Sequence, residues 1–280
     1  SKERVGKMDR DTLRRVQLVQ LEIAKEIKRV CDKNGIDYFM DGGTLIGAVR
    51  HKGFIPWDDD LDFSMVRDQY EQFLKIAPNE LGEQFFLQTW YSDKGYGLPF
   101  AKVRKNGTLY IEEITEKCNC HQGIFVDIFP YDNLPKDEDE RKKQGKILTF
   151  LKVLLKAKCR ARPAYVSKRF EMNKFIKFIP FIMISKFVKK DYLIRTYDSI
   201  AQKSNTQNTG KLYCQCGSKY AKVTIPEIIF RKTIELPFED TFFRAPEEYD
   251  RYLSSAYGDY MTPPPVEERE NRHQVKQVQI

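Results

Sequence analysis

Apolar and polar residues alternate along the chain with two different periods. Between residues 9 and 34 the apolar positions recur three or four residues apart, which predicts an amphipathic helix that begins at Asp9 or Asp11 and ends at Gly35. A second helix is predicted over residues 68–77. Short apolar runs bounded by turn residues predict strands over residues 36–40, 61–66, 84–90, 98–104, 109–113 and 123–129. These elements together predict an α/β fold.

The pattern changes between residues 136 and 208. Strand signals stop there, and Lys and Arg alternate with Leu, Ile and Phe in helical patterns over residues 145–158, 168–190 and 191–203. Short strands return over 209–244, residues 246–257 predict a helix with Pro at its start, and the polar tail from residue 267 is expected to be mobile. We therefore predict a catalytic core over 1–135, a basic helical insertion over 136–208 and a C-terminal part over 209–280 that returns to the core.

Charge is unevenly distributed along the chain. The net charge is +8, but residues 141–195 alone carry +15, because they hold 17 Lys or Arg and only Glu171 and Asp191 as acids, and the rest of the chain is at −7. Such a segment favours partners that carry phosphate, namely nucleic acid, an anionic membrane or a phosphorylated acceptor. No apolar run approaches the roughly 18 residues that cross a bilayer. The polar start and the six cysteines predict a cytoplasmic chain with reduced thiols.

Candidate chemistry is concentrated between Asp41 and Phe63. This stretch ends in an acidic run, residues 58–62, that leads directly into an apolar run. Side chains two apart on a strand point to the same face, so Asp60 and Asp62 are expected to project together. Partly buried like charges resist ionisation, and a divalent cation, which prefers oxygen ligands, removes that cost. The alternative interpretation is a solvated acidic loop after a tight turn.

Upstream of the acidic run, glycine and basic residues predict a phosphate site. The residues concerned are Gly42, Gly43 and Thr44 in a turn, followed by Arg50, His51 and Lys52. The turn precedes a short predicted helix, and backbone N–H groups at a helix start suit a phosphate. The basic residues add positive charge nearby.

Charged residues on two predicted strands are further candidates. Asp127 is alone in the apolar run 123–129, which indicates a central strand buried on both faces. Because a lone buried carboxylate costs several kcal/mol unless it is paired, Asp127 is either hydrogen-bonded by a neighbouring loop or a third metal ligand. Lys102 and Arg104 share one face of their strand. They either neutralise a substrate phosphate or pair with surface acids.

Two Cys-x-Cys pairs provide a second candidate metal site. They are Cys118 with Cys120 and Cys214 with Cys216. Four thiolates can hold a structural Zn²⁺, but zinc ligands in one pair are usually separated by two or more residues. The alternative is therefore unligated cysteines near the site.

The chain resembles the LicD family, which includes bacterial phosphocholine transferases and is related to the eukaryotic fukutin-related proteins. The resemblance rests on residues 41–63, on Lys102-Val103-Arg104, on residues 123–130, on Phe238-Glu239 and on residues 257–263. It implies a nucleotidyltransferase-like mixed sheet with helices. Within that fold Asp60 and Asp62 would be the acidic pair and Asp127 the third carboxylate.

The resemblance also implies an activity. A substituted phosphoryl group, most typically phosphocholine from CDP-choline, would pass from a CDP-alcohol donor to a sugar hydroxyl of a cell-surface glycan or teichoic-acid precursor. Asp60, Asp62 and Asp127 would bind Mg²⁺ or Mn²⁺. The donor phosphates would be bound by Gly42, Gly43, Thr44, Arg50, Lys52, Lys102 and Arg104.

Three alternatives to this activity stay open. The same metals serve transfer of another polyol phosphate, such as ribitol phosphate. A true nucleotidyltransferase would attach the nucleotide and release pyrophosphate. A degenerate fold would act as a basic adaptor without catalysis, although an adaptor has no use for three convergent carboxylates.

The basic segment 141–195 adds a hypothesis about location. Glycan precursors are commonly built on lipid carriers, so the acceptor is expected at the inner face of the cell membrane, with the segment lying peripherally on anionic lipid. The competing interpretation is that its apolar residues pack on the core while its lysines are solvated. Nucleic acid is a weaker competitor because no recognisable nucleic-acid motif accompanies the charge.

Overall fold

The structure of the chain, a computed structural model, describes residues 8–161, 172–207, 209–214, 225–271 and 273–280. Its first element is helix α1, Arg10–Asn34, which follows the N-cap Asp9 and ends at the left-handed Gly35. The carboxylate of Asp9 accepts a hydrogen bond from the N–H of Thr12 at 2.9 Å, so one of the donors left unpaired at a helix start is satisfied. The predicted bounds of this helix are confirmed.

A mixed sheet forms the centre of the fold. Its strands follow the order β1, β2, β6, β4, β3. Their bounds are Phe39–Met40 (β1), Asp62–Val66 (β2), Phe85–Gln88 (β3), Ala101–Lys105 (β4) and Phe125–Asn133 (β6), while β5, Leu109–Glu112, pairs elsewhere. β2 and β6 run parallel and the other neighbours on this path are antiparallel. The α/β prediction is therefore confirmed.

Two helices connect to the strands that carry the candidate chemistry. α2, Gly42–His51, follows β1 after a single residue, and α3, Arg67–Glu80, follows β2 directly. Phe63 and Ile128, each one residue beyond a candidate carboxylate, are fully buried in the main hydrophobic core. Because successive strand residues point to opposite faces, this packing turns the neighbouring carboxylates to the other face of the sheet.

The segment predicted as an insertion is helical. It contains α4, Glu138–Lys158, α5, Met172–Phe187, and α6, Lys190–Ala201. The buried cluster between these helices includes Leu155 and Ile194 and is separate from the main core. Trp90 and Tyr96, from the connection between β3 and β4, complete it. The boundaries at residues 136 and 208 stay a prediction.

The C-terminal part returns to the sheet. β7, Lys211–Tyr213, pairs with both β6 and β8, Ile225–Pro226. A hairpin of β9, Thr233–Phe238, and β10, Thr241–Pro246, precedes helix α7, Tyr249–Tyr257, and β11, Val275–Gln279.

Two expectations for this part are wrong. Pro246 does not start the last helix, because it is the final residue of β10 and α7 begins at Tyr249. The polar tail is not mobile as a whole, since β11 pairs antiparallel with β5. The polar sequence of β11 gives no strand signal. The strand forms because its backbone groups make hydrogen bonds to β5, which is distant in the chain.

Candidate active site

The register of three neighbouring strands brings the charged strand residues into one row. Asp62 on β2 is the Cα partner of Asp127 on β6, and Lys102 on β4 is the partner of Asp127 on its other side. Residues directly opposite each other point to the same face of a sheet. Asp127 and Lys102 are buried, whereas Asp62 is half-buried. The row therefore opens toward solvent at Asp62.

The glycine turn lies against the carboxylates of this site. A Cβ on Gly42, where φ is 50°, would lie 3.8 Å from Oδ2 of Asp62. A Cβ on Gly43 would lie 2.6 Å from Oδ2 of Asp58, so any larger residue there would displace the Asp58 carboxylate. Thr44 braces the same region, because its Oγ1 accepts a hydrogen bond from the N–H of Asp62 at 2.8 Å. The two glycines thus bring the N-terminus of α2 against the carboxylates.

Asp41, which the sequence analysis did not assign to the site, holds the glycine turn on the sheet. Its carboxylate accepts hydrogen bonds from the N–H of Gly42 at 2.7 Å, from Ser64 Oγ at 2.6 Å and from the Tyr131 hydroxyl at 2.9 Å. The hydroxyl of Tyr252 donates to it as well. An Asp directly before a helix start is a preferred N-cap, and that signal was available in the sequence.

The carboxylates repel one another strongly. Burial, together with the charges of Asp60 and Asp127, raises the pKa of Asp62 well above its ordinary value. Among the described residues, Asp58, Asp59 and Asp60 each offer an oxygen within 4.8 Å of the other two. Carboxylate oxygens at such spacing are the donor set that hard divalent cations prefer. This acidic group therefore fits a hard divalent cation, and it shares only Asp60 with the predicted set of Asp60, Asp62 and Asp127.

Lys102 pairs with a carboxylate of the site itself. Its Nζ lies 2.5 Å from Oδ1 of Asp127 and 3.4 Å from the ring centroid of Phe125. Burial raises the pKa of Asp127, and the positive charge of Lys102 opposes that shift. Sequence reasoning offered a substrate phosphate or a surface acid as the partner of this lysine. The structure shows a buried pair with Asp127.

Asp59 fixes the position of the acidic run, residues 58–62, which we call the acidic loop from here on. Its carboxylate accepts a hydrogen bond from the Tyr110 hydroxyl at 2.7 Å and lies 3.1 Å from Nδ1 of His273, whose Nε2 lies 3.5 Å from Glu112. Although burial opposes protonation, Glu112 and Asp59 raise the pKa of His273 to about 10. Because an imidazolium and a hydroxyl occupy the oxygens of Asp59, we assign this residue a positioning role. No local signal in the sequence links residue 273 to residue 59.

Three predicted phosphate ligands lie away from the glycine turn. Arg104 is fully buried, and its guanidinium donates to Gln88 Oε1 and to the carbonyl of Gly123. Arg50 and Lys52 lie at the opposite end of α2, about 9–15 Å along the axis from the turn. Nη1 of Arg50 donates to the carbonyl of Tyr260 at 2.8 Å. The structure therefore does not gather these three cations around one phosphate.

The structure does not bring together the described cysteines of the possible zinc site. Cys120 packs against the hydrophobic cluster of the helical segment, and its thiol is hydrogen-bonded with Cys118, near the start of β6. Cys214 follows β7, which pairs with the end of β6, and it packs against the main core. The two ends of the nine-residue strand β6 are about 26 Å apart, whereas zinc ligands lie about 2.3 Å from one ion. Cys216 lies outside the described residues.

Comparisons with known proteins identify the relatives of this chain. A family model described as LicD/FKTN/FKRP, nucleotidyltransferase domain, matches residues 35–144. The chain is 33% identical over 274 residues to the lipopolysaccharide cholinephosphotransferase LicD of Haemophilus influenzae, covering 95% of this chain and 97% of that protein. It is 41% identical over 93 residues to the ribitol 5-phosphate transferase FKRP of Mus musculus, covering 32% of this chain and 19% of that protein.

The similarity to a cholinephosphotransferase over nearly the whole chain shows that this chain is an enzyme, a phosphotransferase. The chain belongs to the LicD family. Among the described residues, no helix is long and apolar enough to cross a membrane.

Proposed function

We propose that the chain transfers a substituted phosphoryl group, foremost phosphocholine from CDP-choline, to a sugar hydroxyl of a cell-surface glycan or teichoic-acid precursor. The observation that carries the proposal is the register of Asp62 with Asp127, with the N-terminus of α2 directly against the carboxylates. Similarity to a lipopolysaccharide cholinephosphotransferase along 95% of the chain supports the choice of phosphocholine.

The proposed roles follow from the placement of each side chain. Asp60 and Asp62 would hold a divalent cation, and Asp127 would complete a second position or accept the proton of the attacking hydroxyl. When bound, such a cation would supply positive charge that offsets the negative charge developing on the donor phosphates. The N–H groups of Gly43 and Thr44 bind the donor phosphates. Lys102 favours the ionised form of Asp127.

The reaction that these roles imply is a single displacement at phosphorus. The acceptor oxygen forms a bond to the phosphorus that carries choline, and the bond from that phosphorus to the bridging oxygen breaks. The hydroxyl proton passes to Asp127 and CMP leaves. The acceptor is proposed to be lipid-linked, which would place the chain at the anionic inner face of the cell membrane.

Product analysis tests the proposal. The purified chain is incubated with Mg²⁺ and, in separate reactions, with CDP-choline, CDP-ribitol and CTP, in the presence of a glycan acceptor. We expect CMP release from CDP-choline that requires both acceptor and cation. Pyrophosphate release from CTP, or CMP release at the same rate in EDTA, would overturn it.

Transfer of ribitol phosphate is the second candidate. The observation that favours it is the 41% identity to a ribitol 5-phosphate transferase over 93 residues. Faster CMP release from CDP-ribitol than from CDP-choline would select this alternative. The carboxylates would keep the same roles, because both donors present the same diphosphate.

A further inference from the structure

Helix α5 exposes a row of large apolar side chains. Ile179, Met183 and Phe187 follow one another at four-residue spacing, and they are 41%, 50% and 85% exposed. Residues four apart lie on the same face of a helix, and Ile184, also exposed, lies beside them. We call these four residues the α5 face. Contiguous apolar surface of this kind is uncommon on a protein without a partner for it.

The opposite side of α5 is fixed on the protein. Phe178 is buried and its ring stacks with that of Phe181, which in turn contacts Phe150 of α4. Nζ of Lys158 donates to the carbonyl of Ser185 at 2.8 Å. The helix therefore already has a packed side, and the α5 face is its outward side.

Lysines flank the α5 face. Lys177, Lys186 and Lys189 are exposed. A separate cleft of about 530 Å³ between α4 and α5 also combines lysines with apolar side chains, since Lys142, Lys146, Phe150 and Phe181 line it. Apolar residues bordered by cations match the boundary of an anionic bilayer, where acyl chains lie beneath negatively charged headgroups.

A second copy of this chain fits the α5 face poorly. A twofold interface brings the same patch of both copies together, so the flanking lysines would face lysines. An anionic membrane presents the opposite charge instead. At 16 residues α5 is also shorter than the roughly 20 residues that span a bilayer, so it would lie along the surface.

We propose that the α5 face inserts into the interfacial layer of an anionic membrane while Lys177, Lys186 and Lys189 contact lipid phosphates. The biological purpose of this contact rests on the proposed function, because it would bring the active site to a membrane-held acceptor. The contact itself requires no turnover.

Vesicle sedimentation tests the α5 face. The chain is mixed with vesicles of phosphatidylcholine alone, or of equal parts phosphatidylcholine and phosphatidylglycerol, at low and high salt. We expect binding only to the anionic vesicles, and loss of binding with salt. The double variant M183E/F187E should lower the partition coefficient at least tenfold, because both side chains leave the acyl boundary. F242E is the matched control, since Phe242 is 54% exposed on β10, and should bind like the wild type.

A lysine variant separates the two parts of the contact. K177Q/K186Q/K189Q should weaken binding to anionic vesicles by roughly fivefold per lysine and reduce its salt dependence. Thermal unfolding of every variant should match the wild type because all substituted positions are exposed. Unchanged binding by M183E/F187E would overturn the proposal. So would a dimer in ultracentrifugation that M183E/F187E dissociates while no vesicle binding is seen.

The same samples keep this inference apart from the proposed function. CMP release from CDP-choline is measured with a water-soluble glycan acceptor and without vesicles. M183E/F187E should retain the wild-type rate there. Wild-type chain that binds vesicles but releases no CMP would contradict the activity and leave the membrane contact standing. Chain that releases CMP but binds no vesicles would contradict only the contact.

Discussion

Charges lie in opposite surroundings in the sheet site, which is the row of Asp62, Asp127 and Lys102, and in the helices of the predicted insertion. Asp62, Asp127 and Lys102 lie in register on neighbouring strands and are largely shielded from water. Lys177 and Lys186 on α5 are exposed. Charges close together in a low-dielectric site interact strongly, whereas exposed charges are screened by water and salt. Single substitutions should therefore act strongly in the sheet site and weakly in the insertion.

The two regions also differ in how much of the fold positions each charge. Side-chain amides of Gln17 and Gln20 on α1 donate to the carbonyls of Asp58 and Asp59, both at 2.8 Å. His273 contacts the same loop from near the C-terminus. Elements from both ends of the described chain thus hold the acidic loop. The lysines of α5 instead lie on a single helix, and their exposure depends only on their positions around that helix.

The largest expected effect is that of D62N. We expect CMP release to fall by roughly 10³-fold, because several kcal/mol of charge stabilisation would be lost and each 1.4 kcal/mol is about tenfold. Without metal the variant should be at least as stable as the wild type, since Asn removes repulsion from Asp60 and Asp127. Steady-state kinetics and thermal unfolding in EDTA measure the two effects.

A neighbouring acid provides the control for that experiment. Asp68, in the first turn of α3, is exposed. D68N removes the same charge six residues further along and should leave turnover unchanged. Loss of turnover in D68N equal to that in D62N would mean that general charge, and not the row of carboxylates, matters.

The next effect concerns the buried pair of Lys102 and Asp127. K102M should lower the free energy of unfolding by about 3–5 kcal/mol in EDTA, because it leaves Asp127 buried without its cation. The double variant K102M/D127N should recover most of that loss, since it removes both charges. Urea unfolding of the wild type, K102M, D127N and the double variant gives the coupling free energy. Equal destabilisation by K102M and by the double variant would contradict a dominant charge pair.

H273Q should weaken the apparent affinity for Mg²⁺ by about 10–100-fold, the effect typical of residues that orient metal ligands. The imidazolium of His273 contacts both Asp59 and Glu112 and so fixes the acidic loop. Its loss should make the position of the neighbouring Asp60 less well defined. Metal titration followed by intrinsic fluorescence measures the affinity without turnover. H273K, which restores a cation, should recover part of it. Undiminished affinity in H273Q would mean that Asp59 and His273 are purely structural.

The sequence predicted best those features that are determined by residues close together in the chain. α1 lies where its periodicity, the cap Asp9 and Gly35 predicted it. The acidic pair and the lone strand carboxylate were candidates because two-residue alternation and a buried charge are visible without a structure. The register of Asp62 with Asp127 confirms that both residues lie on one face of adjacent strands.

Contacts between distant segments were beyond the sequence. Lys102 pairs with Asp127 only because β4 lies next to β6, and β11 is ordered only because β5 offers it an edge. Arg104 shows the same difficulty. Its alternation with Lys102 was correct, yet its burial against Gln88 depends on the pairing of β4 with β3.

The smallest expected effect concerns Asp198, which lies where the two regions meet. Asp198 on α6 accepts a hydrogen bond from the Tyr91 hydroxyl at 2.9 Å and lies 3.9 Å from Nη1 of Arg67. Burial raises the pKa of Asp198 to about 6, and Arg67 opposes the shift. Because Arg67 already forms two hydrogen bonds with Asp132, it does not fully compensate a second carboxylate. Asp198, although it lies on α6, is therefore surrounded by residues of the core such as Tyr91 and Arg67.

The pKa of Asp198 fixes the sign of the expected pH dependence. Its folded value of about 6 lies above the roughly 3.9 of an unfolded aspartate, so the folded state binds the proton more tightly. The stability that this group contributes is therefore complete below about pH 4 and is lost as the pH rises through about 6.

D198N should consequently be more stable than the wild type at pH 7, by about 1 kcal/mol once screening of the partly exposed group is allowed for. The gain should vanish near pH 4, where the wild-type carboxyl is protonated as well. Asn keeps an acceptor for Tyr91, so the packing of α6 is expected to persist. D191N on the exposed start of the same helix is the control and should show no such pH dependence. Urea unfolding across this range decides the matter. A D198N variant less stable than the wild type at pH 7 would mean that the attraction of Arg67 outweighs burial, and that the boundary of the insertion behaves like the paired charges of the sheet site.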